Sequence, residues 1–225
     1  MAKPEDHTFI HANLKTPKAA ALAGIIFSLL MFTIFGLLRR SIPAGPLEPG
    51  AWLAADTKTI ALALNLVPFA GVAFLWFLGV LRDRLGQRED RFFATVFFGS
   101  AMLFLAMLFA AAAVIGAVLL LASTAEPNEL MSSATFRFAR AAAYIMTNVY
   151  ATKMSAVFMI STSTLVIYTG IAPRWIAFIG YLLALVLLIG SYHIGWSFAL
   201  LPAWVLLISV HILMDNLRRR QKPDA

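Results

Sequence analysis

Polar side chains that could do chemistry are concentrated in one stretch, residues 136–169. At 100° per residue, six of them fall on one helical face: Tyr144, Asn148, Thr152, Ser155, Thr162 and Thr169. Hydroxyl and amide groups inside an apolar helix can line a polar cavity and bind a ligand. The same groups can instead bond to their own backbone or to a neighbouring helix. The sequence leaves both interpretations open.

The opposite face of this stretch is polar as well. It carries Tyr150, Lys153, Ser161, Thr164 and Tyr168. A helix that faces lipid on one side would not be polar all round, because lipid cannot satisfy hydrogen-bonding groups. The pattern therefore predicts a central helix, surrounded by the rest of the protein or by a cavity.

Lys153 is the only charged residue well inside an apolar run. A charge within the membrane is a functional hypothesis by default. Lys153 precedes Gly170 by 17 residues, which is about 25 Å along a helix and places it near a membrane boundary. There its long side chain can snorkel towards water. Ligand binding and snorkelling are the two interpretations.

Three further polar residues are candidates. Asn65 lies three residues before Pro68, so its amide either bonds the carbonyls that the proline leaves free or joins a cavity with Asn148. His211 and Asp215 are one helical turn apart, and we expect a structural hydrogen bond between them near a membrane boundary.

The sequence carries no catalytic or cofactor-binding motif. It has no H-E-x-x-H, nucleophile elbow, Walker A or dinucleotide fingerprint. It has no cysteine, which excludes thiolate metal sites and a cysteine nucleophile. No Asp or Glu lies in the middle of an apolar run, where ion-coupled carriers commonly place a carboxylate. We therefore predict no catalytic residue, no cofactor and no metal site.

The composition indicates a membrane protein. Hydrophobic residues make up 61% of the chain and charged residues 13%, compared with roughly 25% charged residues in soluble domains. Apolar runs of about 20 residues can cross a bilayer core. The sequence predicts a polar arm at residues 1–18, a single all-α bundle at 19–215 and a basic tail at 216–225. Its six spans are residues 19–38, 59–81, 92–122, 136–169, 173–191 and 196–214.

The third span carries a row of alanines at helical spacing, Ala106, Ala110, Ala113 and Ala117. Small side chains let two helix backbones approach closely. We expect this row to pack against the fourth span.

Charged residues at 82–91 form a dense turn that cannot lie in hydrocarbon, so they mark a membrane boundary. Twelve of the 18 Lys and Arg residues fall on the side of the N-terminus, this turn and the tail. Five fall on the other side: Arg39, Arg40, Lys58, Arg137 and Arg140. The excess predicts that both termini are cytoplasmic. Orientation thus explains the basic residues, and no nucleic-acid partner is expected.

One segment, FLWFLGVLRDRLGQREDRFFATVFFGS, resembles a segment of small, uncharacterised bacterial multi-pass membrane proteins. The resemblance covers about residues 74–113. It implies a multi-pass protein of the bacterial plasma (inner) membrane, and it carries over no activity and no site residue.

These observations predict an all-α, polytopic helical membrane protein with six transmembrane helices. The leading functional hypothesis is a non-enzymatic accessory or partner-binding component. Its expected partners are the lipid bilayer and either another membrane protein or further copies of the chain. The alternative is a channel, carrier or small-molecule-binding membrane subunit that uses the polar faces of the fourth span.

Overall fold

The computed structural model describes residues 16–42, 52–85, 91–123, 130, 132–170, 172–190 and 196–220. This part of the chain is helical and contains no β-strand. The predicted all-α class is therefore confirmed. In chain order the helices are α1 (Thr16–Ser41), α2 (Trp52–Leu85), α3 (Arg91–Ala122), α4 (Ala134–Ile145), α5 (Thr152–Thr169), α6 (Arg174–Gly190) and α7 (Leu200–Arg220).

Two short elements complete the described chain. A π-helical turn, Met146–Ala151, joins α4 and α5 into one rod, and a 3-10 turn, Ser197–Ala199, precedes α7. Five segments are long and apolar enough to cross a membrane: α1, α2, α3, the α4–α5 rod, and the 3-10 turn with α7. The apolar helix α6 is shorter, with 17 residues. Each predicted span thus coincides with a helical segment.

The ends of two helices, α2 and α7, differ most from the prediction. Helix α2 begins at Trp52 instead of Thr59, because a helical turn precedes a break at Asp56, whose φ and ψ are −121° and 18°. Helix α7 continues to Arg220, beyond the predicted end at Met214. Its last turns are therefore polar and basic.

Phenylalanine rings from four helices fill the centre of the bundle. The ring centroid of Phe74, on α2, lies 4.6 Å from that of Phe27, on α1. Its distances to Phe104, on α3, and Phe158, on α5, are 5.5 and 5.3 Å. Phe97, also on α3, lies 5.3 Å from Phe158. Such tilted and edge-on ring pairs are favourable beyond the burial of their area, so α1, α2, α3 and α5 share one apolar core.

Two glycines allow close contact between helix pairs. A Cβ atom at Gly24 of α1 would clash with the Ser209 hydroxyl of α7, and one at Gly180 of α6 would clash with the Ser163 hydroxyl of α5. Glycine has no Cβ, so each serine can lie directly against the neighbouring backbone. These contacts join α1 to α7 and α5 to α6.

Trp204 of α7 connects the same region to α6. Its side chain is fully buried, and the indole Nε1–H donates to the Ile176 carbonyl at 3.2 Å. A buried tryptophan usually needs such a partner for its polar edge. The bond therefore joins the first turn of α6 to α7.

The alanines of α3 do not form the predicted contact with the fourth span. Ala106, Ala113 and Ala117 are exposed, and Ala110 is only partly buried. Helix α3 meets α5 through larger side chains, with Phe97 as the clearest example. Aromatic rings bury more area than methyl groups do, and they decide which face of α3 turns inward.

Helix α5 is the most enclosed segment, as expected for a central helix. Polar and apolar side chains are buried all around its circumference. In the most apolar window of the α4–α5 rod, 61% of the residues are buried, against 28% to 50% in the other four spans. The helix ends at Gly170, which has a positive φ of 68°.

Candidate functional site

The π turn divides the polar stretch into two parts. The Thr152 hydroxyl donates to the Thr147 carbonyl, five residues earlier, at 2.9 Å. A π turn holds about one residue more than an α-helical turn, so α5 is rotated by about 100° compared with an uninterrupted α-helix. Tyr144 therefore does not share a face with Ser155 and Thr162. The predicted six-residue face is wrong, because the extra residue changes the register.

The hydroxyl groups of α5 are occupied by their own helix. Ser155 Oγ donates to the Thr152 carbonyl at 2.8 Å, and Thr162 Oγ1 donates to the Phe158 carbonyl at 2.8 Å. Ser155 is 3% exposed and Thr162 is fully buried. Back-bonding of this kind satisfies a buried hydroxyl without any external group. It matches the structural interpretation of these residues.

Asn148 lies within the π turn and is partly buried. Its side-chain Nδ2 donates to the Tyr144 carbonyl at 3.1 Å. The side-chain oxygen has no hydrogen-bond partner in the part of the chain that the structure describes. π turns occur frequently at functional sites. Asn148 is therefore placed to accept a bond from a ligand.

Asn65 takes neither of its predicted roles. Its Nδ2 donates to the Ala61 carbonyl at 2.9 Å, and the residue is exposed. Pro68 frees the carbonyl of Leu64, four residues before it. The side chain of Asn65 misses that group because side chains in a helix point towards the N-terminus. Its exposure on α2 also excludes it from an enclosed cavity with Asn148.

Lys153 has a partner that neither interpretation included. Its ammonium group donates to the carbonyl of Leu188 and, at 3.4 Å, to that of Leu187. Both carbonyls belong to the last turn of α6, which ends at Gly190. The last four carbonyls of a helix lack intrahelical partners and carry the negative end of the helix dipole. Lys153 thus caps α6 from a neighbouring helix.

His211 and Asp215 lie one turn apart on α7, and both are partly buried. A hydrogen bond between them stays a prediction. Among the residues that the structure describes, no group of three or more His, Asp or Glu could hold a metal ion.

Arg140 is a buried cation that the sequence reasoning missed. It is 5% exposed, whereas Arg137, one turn earlier, is exposed. The sequence contains a signal for its burial, because Phe136, Arg140 and Ala143 recur at helical spacing and all three are buried. Arg140 was predicted to lie outside the membrane with the other cations near residue 137, so its position on the buried face of α4 was not recognised.

Three buried hydroxyls have no hydrogen-bond partner in the described part of the chain: those of Ser163, Ser197 and Ser209. Two of them, Ser163 and Ser209, are the serines that lie against glycines of neighbouring helices. A serine is small enough to fit at each of these contacts, whereas a larger side chain would push the paired helices apart.

An apolar groove of about 420 Å³ lies on the surface between α1 and α2. It includes none of the polar candidates. Phe69 and Trp76 stand out from it, being 65% and 68% exposed. Its lining consists of Ala23, Ile26, Leu30, Leu66, Phe69, Val72, Ala73 and Trp76. An exposed apolar surface of this kind suits contact with lipid chains.

Comparison with known proteins adds no relative from which a role could be carried over to these residues. The chain matches no known protein family, no curated protein and no solved structure. The resemblance of residues 74–113 to bacterial membrane proteins therefore stays a prediction.

Proposed function

We propose that this chain is a non-enzymatic integral membrane protein of the bacterial plasma membrane, acting as an accessory or partner-binding component. In this proposal it crosses the bilayer six times and has both termini in the cytoplasm. The polar groups of the fourth span hold the bundle together and bind no substrate.

The packing of the interior is the observation that carries the proposal. An ion or solute path needs polar groups that face one another across open space. The described centre of the bundle instead contains contacting phenylalanine rings around Phe74. The buried hydroxyls of Ser155 and Thr162 donate to their own helix. These features support a role in which the bundle is a scaffold.

The outer surface supports a place in the bilayer. Large apolar side chains are exposed along the spans, including Leu120 at 70% and Ile189 at 74%. Water would make such a surface an aggregation hazard, whereas lipid chains cover it without cost. The five long apolar helices are compatible with the same environment.

Cysteine labelling tests the six crossings and the orientation, and the absence of native cysteine removes background. We expect Lys58→Cys to react with a membrane-impermeant thiol reagent in intact cells. We expect Arg218→Cys to react only after the cells are permeabilised. Labelling of Arg218→Cys but not of Lys58→Cys in intact cells would overturn the orientation. Equal labelling of both variants would overturn the five crossings predicted between the two positions.

Mass measurement and flux together test the accessory role. In a mild detergent we expect a native mass above that of the 24.6 kDa chain, with a second polypeptide or a second copy in fixed ratio. Vesicles that contain the purified chain should pass protons and alkali cations no faster than protein-free vesicles. A single chain that conducts, and stops conducting when Asn148 is changed to Leu, would contradict the proposal.

The alternative function, a channel, carrier or small-molecule-binding subunit, is favoured by one observation. The π turn places Asn148 partly exposed, with its side-chain oxygen free of partners in the described chain. Under this alternative Asn148→Leu abolishes flux or ligand binding while the thermal stability is kept. Under the leading proposal, the same variant has no effect on flux.

A further inference from the structure

One end of the bundle, which we call the basic end, carries exposed cations and tryptophans. Helices α1, α3 and α6 begin there, and α2, α5 and α7 end there. In the proposed membrane topology successive spans alternate in direction, and the contacts agree: Gly24, eight residues after the start of α1, lies against Phe77, eight residues before the end of α2. Ser163, six residues before the end of α5, likewise lies against Gly180, six residues after the start of α6.

Among the arginine side chains that the structure describes, three are exposed at the basic end: Arg82 of α2, Arg174 of α6 and Arg218 of α7. The guanidinium carbon of Arg82 lies 5.8 Å from the ring centroid of Phe98 on α3. A cation over an aromatic face at this distance is attracted to the ring, so the guanidinium is held at the surface. These arginines come from three different helices.

Two exposed tryptophans mark the depth of these cations. Trp175 is adjacent to Arg174 and is 51% exposed, and Trp76 precedes Arg82 by six residues, about 9 Å along α2. Tryptophan rings prefer the boundary between hydrocarbon and headgroups. Arg82 and Arg174 therefore lie at the level of the lipid headgroups, and Arg218 follows the predicted end of its span, Met214, by four residues.

The charge balance distinguishes the two ends. By sequence, residues 1–18, 82–91, 174 and 215–225 contain 12 Lys and Arg and 7 Asp and Glu, a net charge of +5. Residues 39–58 and 126–140, at the opposite end, contain 5 and 4, a net charge of +1. The two carboxylates whose side chains the structure describes, Asp56 and Asp215, are partly buried. Anions are therefore attracted mainly to the basic end.

We propose that the basic end binds the headgroups of anionic phospholipids through Arg82, Arg174 and Arg218. The guanidinium fork matches phosphate oxygens with two parallel hydrogen bonds. Basic clusters next to a membrane span are attracted to anionic lipid, and the attraction falls within a Debye length. The inference rests on the proposed membrane location, and it adds the lipid class that the bundle selects.

The test compares the purified full chain in bilayer discs of phosphatidylcholine alone and with about one third phosphatidylglycerol. We expect the Tm to be higher with phosphatidylglycerol by on the order of 5 °C at low salt. The difference should shrink strongly at about 0.5 M salt, where the Debye length is only a few ångströms. Both lipids have similar chains, so the difference reports on the headgroup.

Variants locate the effect. Changing Arg82, Arg174 and Arg218 together to Gln should remove the lipid-dependent difference, and changing them to Lys should keep only part of it, because an ammonium group cannot form the two parallel bonds of a guanidinium group. The matched control is at the opposite end, where Arg39→Gln with Arg40→Gln and Arg137→Gln should leave the difference unchanged. If the first Gln variant does not fold, the wild-type comparison and the Lys variant decide.

Equal Tm values of the wild type in the two lipids would overturn the inference. A Tm difference between the two lipids that persists in the Gln variant would also overturn it. The same holds if the Gln variant loses a bound protein partner and the lipid has no effect on the Tm. The membrane location fails by a separate result, release of the chain from membranes by alkaline carbonate without detergent.

Discussion

Replacing Lys153 by methionine would remove the ammonium group that caps α6 while keeping a long, flexible apolar side chain. The ammonium donates to the carbonyls of Leu187 and Leu188, in the last turn of that helix. After the replacement, both carbonyls lose their charged donor in a partly buried place. We therefore expect α5 and α6 to separate more easily in the variant.

The size of the effect follows from three terms. A hydrogen bond to a charged group contributes roughly 1.5–3 kcal/mol, and a cation at a helix C-terminus contributes about 0.3–1 kcal/mol. Removing a partly buried charge also relieves its desolvation, which offsets part of the loss. We expect a net loss of about 1–2 kcal/mol, which lowers the Tm of a chain of this size by about 2–8 °C.

The assay is thermal unfolding of the purified protein in a mild detergent. Lys153→Arg keeps the charge and should lose much less stability than Lys153→Met. Lys58→Met is the matched control, because Lys58 is an exposed lysine on α2. Surface changes of this kind stay within about 0.5 kcal/mol, so its Tm should remain close to that of the wild type.

An unchanged Tm for Lys153→Met would refute the reasoning. It would mean that the two carbonyls find other partners and that the lysine reaches the interface, as the snorkelling interpretation holds. That interpretation predicts a tolerated or even stabilising change at Lys153, so the two accounts predict opposite results.

Two further predictions concern packing and register. Gly180→Ala should cost about 1–3 kcal/mol, because its Cβ would lie 2.8 Å from ring atoms of Trp204. Gly99→Ala is the control and should not lower the Tm, because a Cβ atom there has no other atom within 4 Å. Equal Tm values for the two variants would contradict the close contact of α6 with α5 and α7 at Gly180. Deleting Val149 from the π turn should give a continuous α-helix that still folds, because that turn holds one extra residue. Deleting Val157 from α5 rotates the later residues of that helix by about 100° and should prevent folding. Aggregation on size exclusion measures the damage. If both deletions aggregate equally, the π turn does not hold an extra residue that the fold can lose.

The helical spans were predictable because the length of an apolar run is a local property. The enclosure of α5 was predictable for a similar reason. Polar residues such as Ser155 and Ser161 on two sides of one helix exclude lipid from both sides. Both residues are buried in the structure. These inferences need only composition and helical spacing.

Register and long-range partners were not predictable in the same way. No periodicity marks the π turn, so the angles assigned to Ser155 and Thr162 relative to Tyr144 were wrong by about 100°. Lys153 finds its partners 34 and 35 residues along the chain, in a helix whose contact with α5 depends on Gly180. Tertiary packing decides both features.

The central claim is that the polar residues of α5 are packed and do not line a path for water or solute. Reaction of Ser155→Cys and Thr162→Cys with a small water-soluble thiosulfonate reagent tests it most directly, because a thiol reacts as the hydrated thiolate. Arg218→Cys, at an exposed position, is the reference. We predict that neither buried cysteine reacts in the folded, membrane-bound protein, and that both react once it is denatured. Reaction of Ser155→Cys in the folded protein at a rate near that of Arg218→Cys would contradict the claim and would favour a channel or carrier.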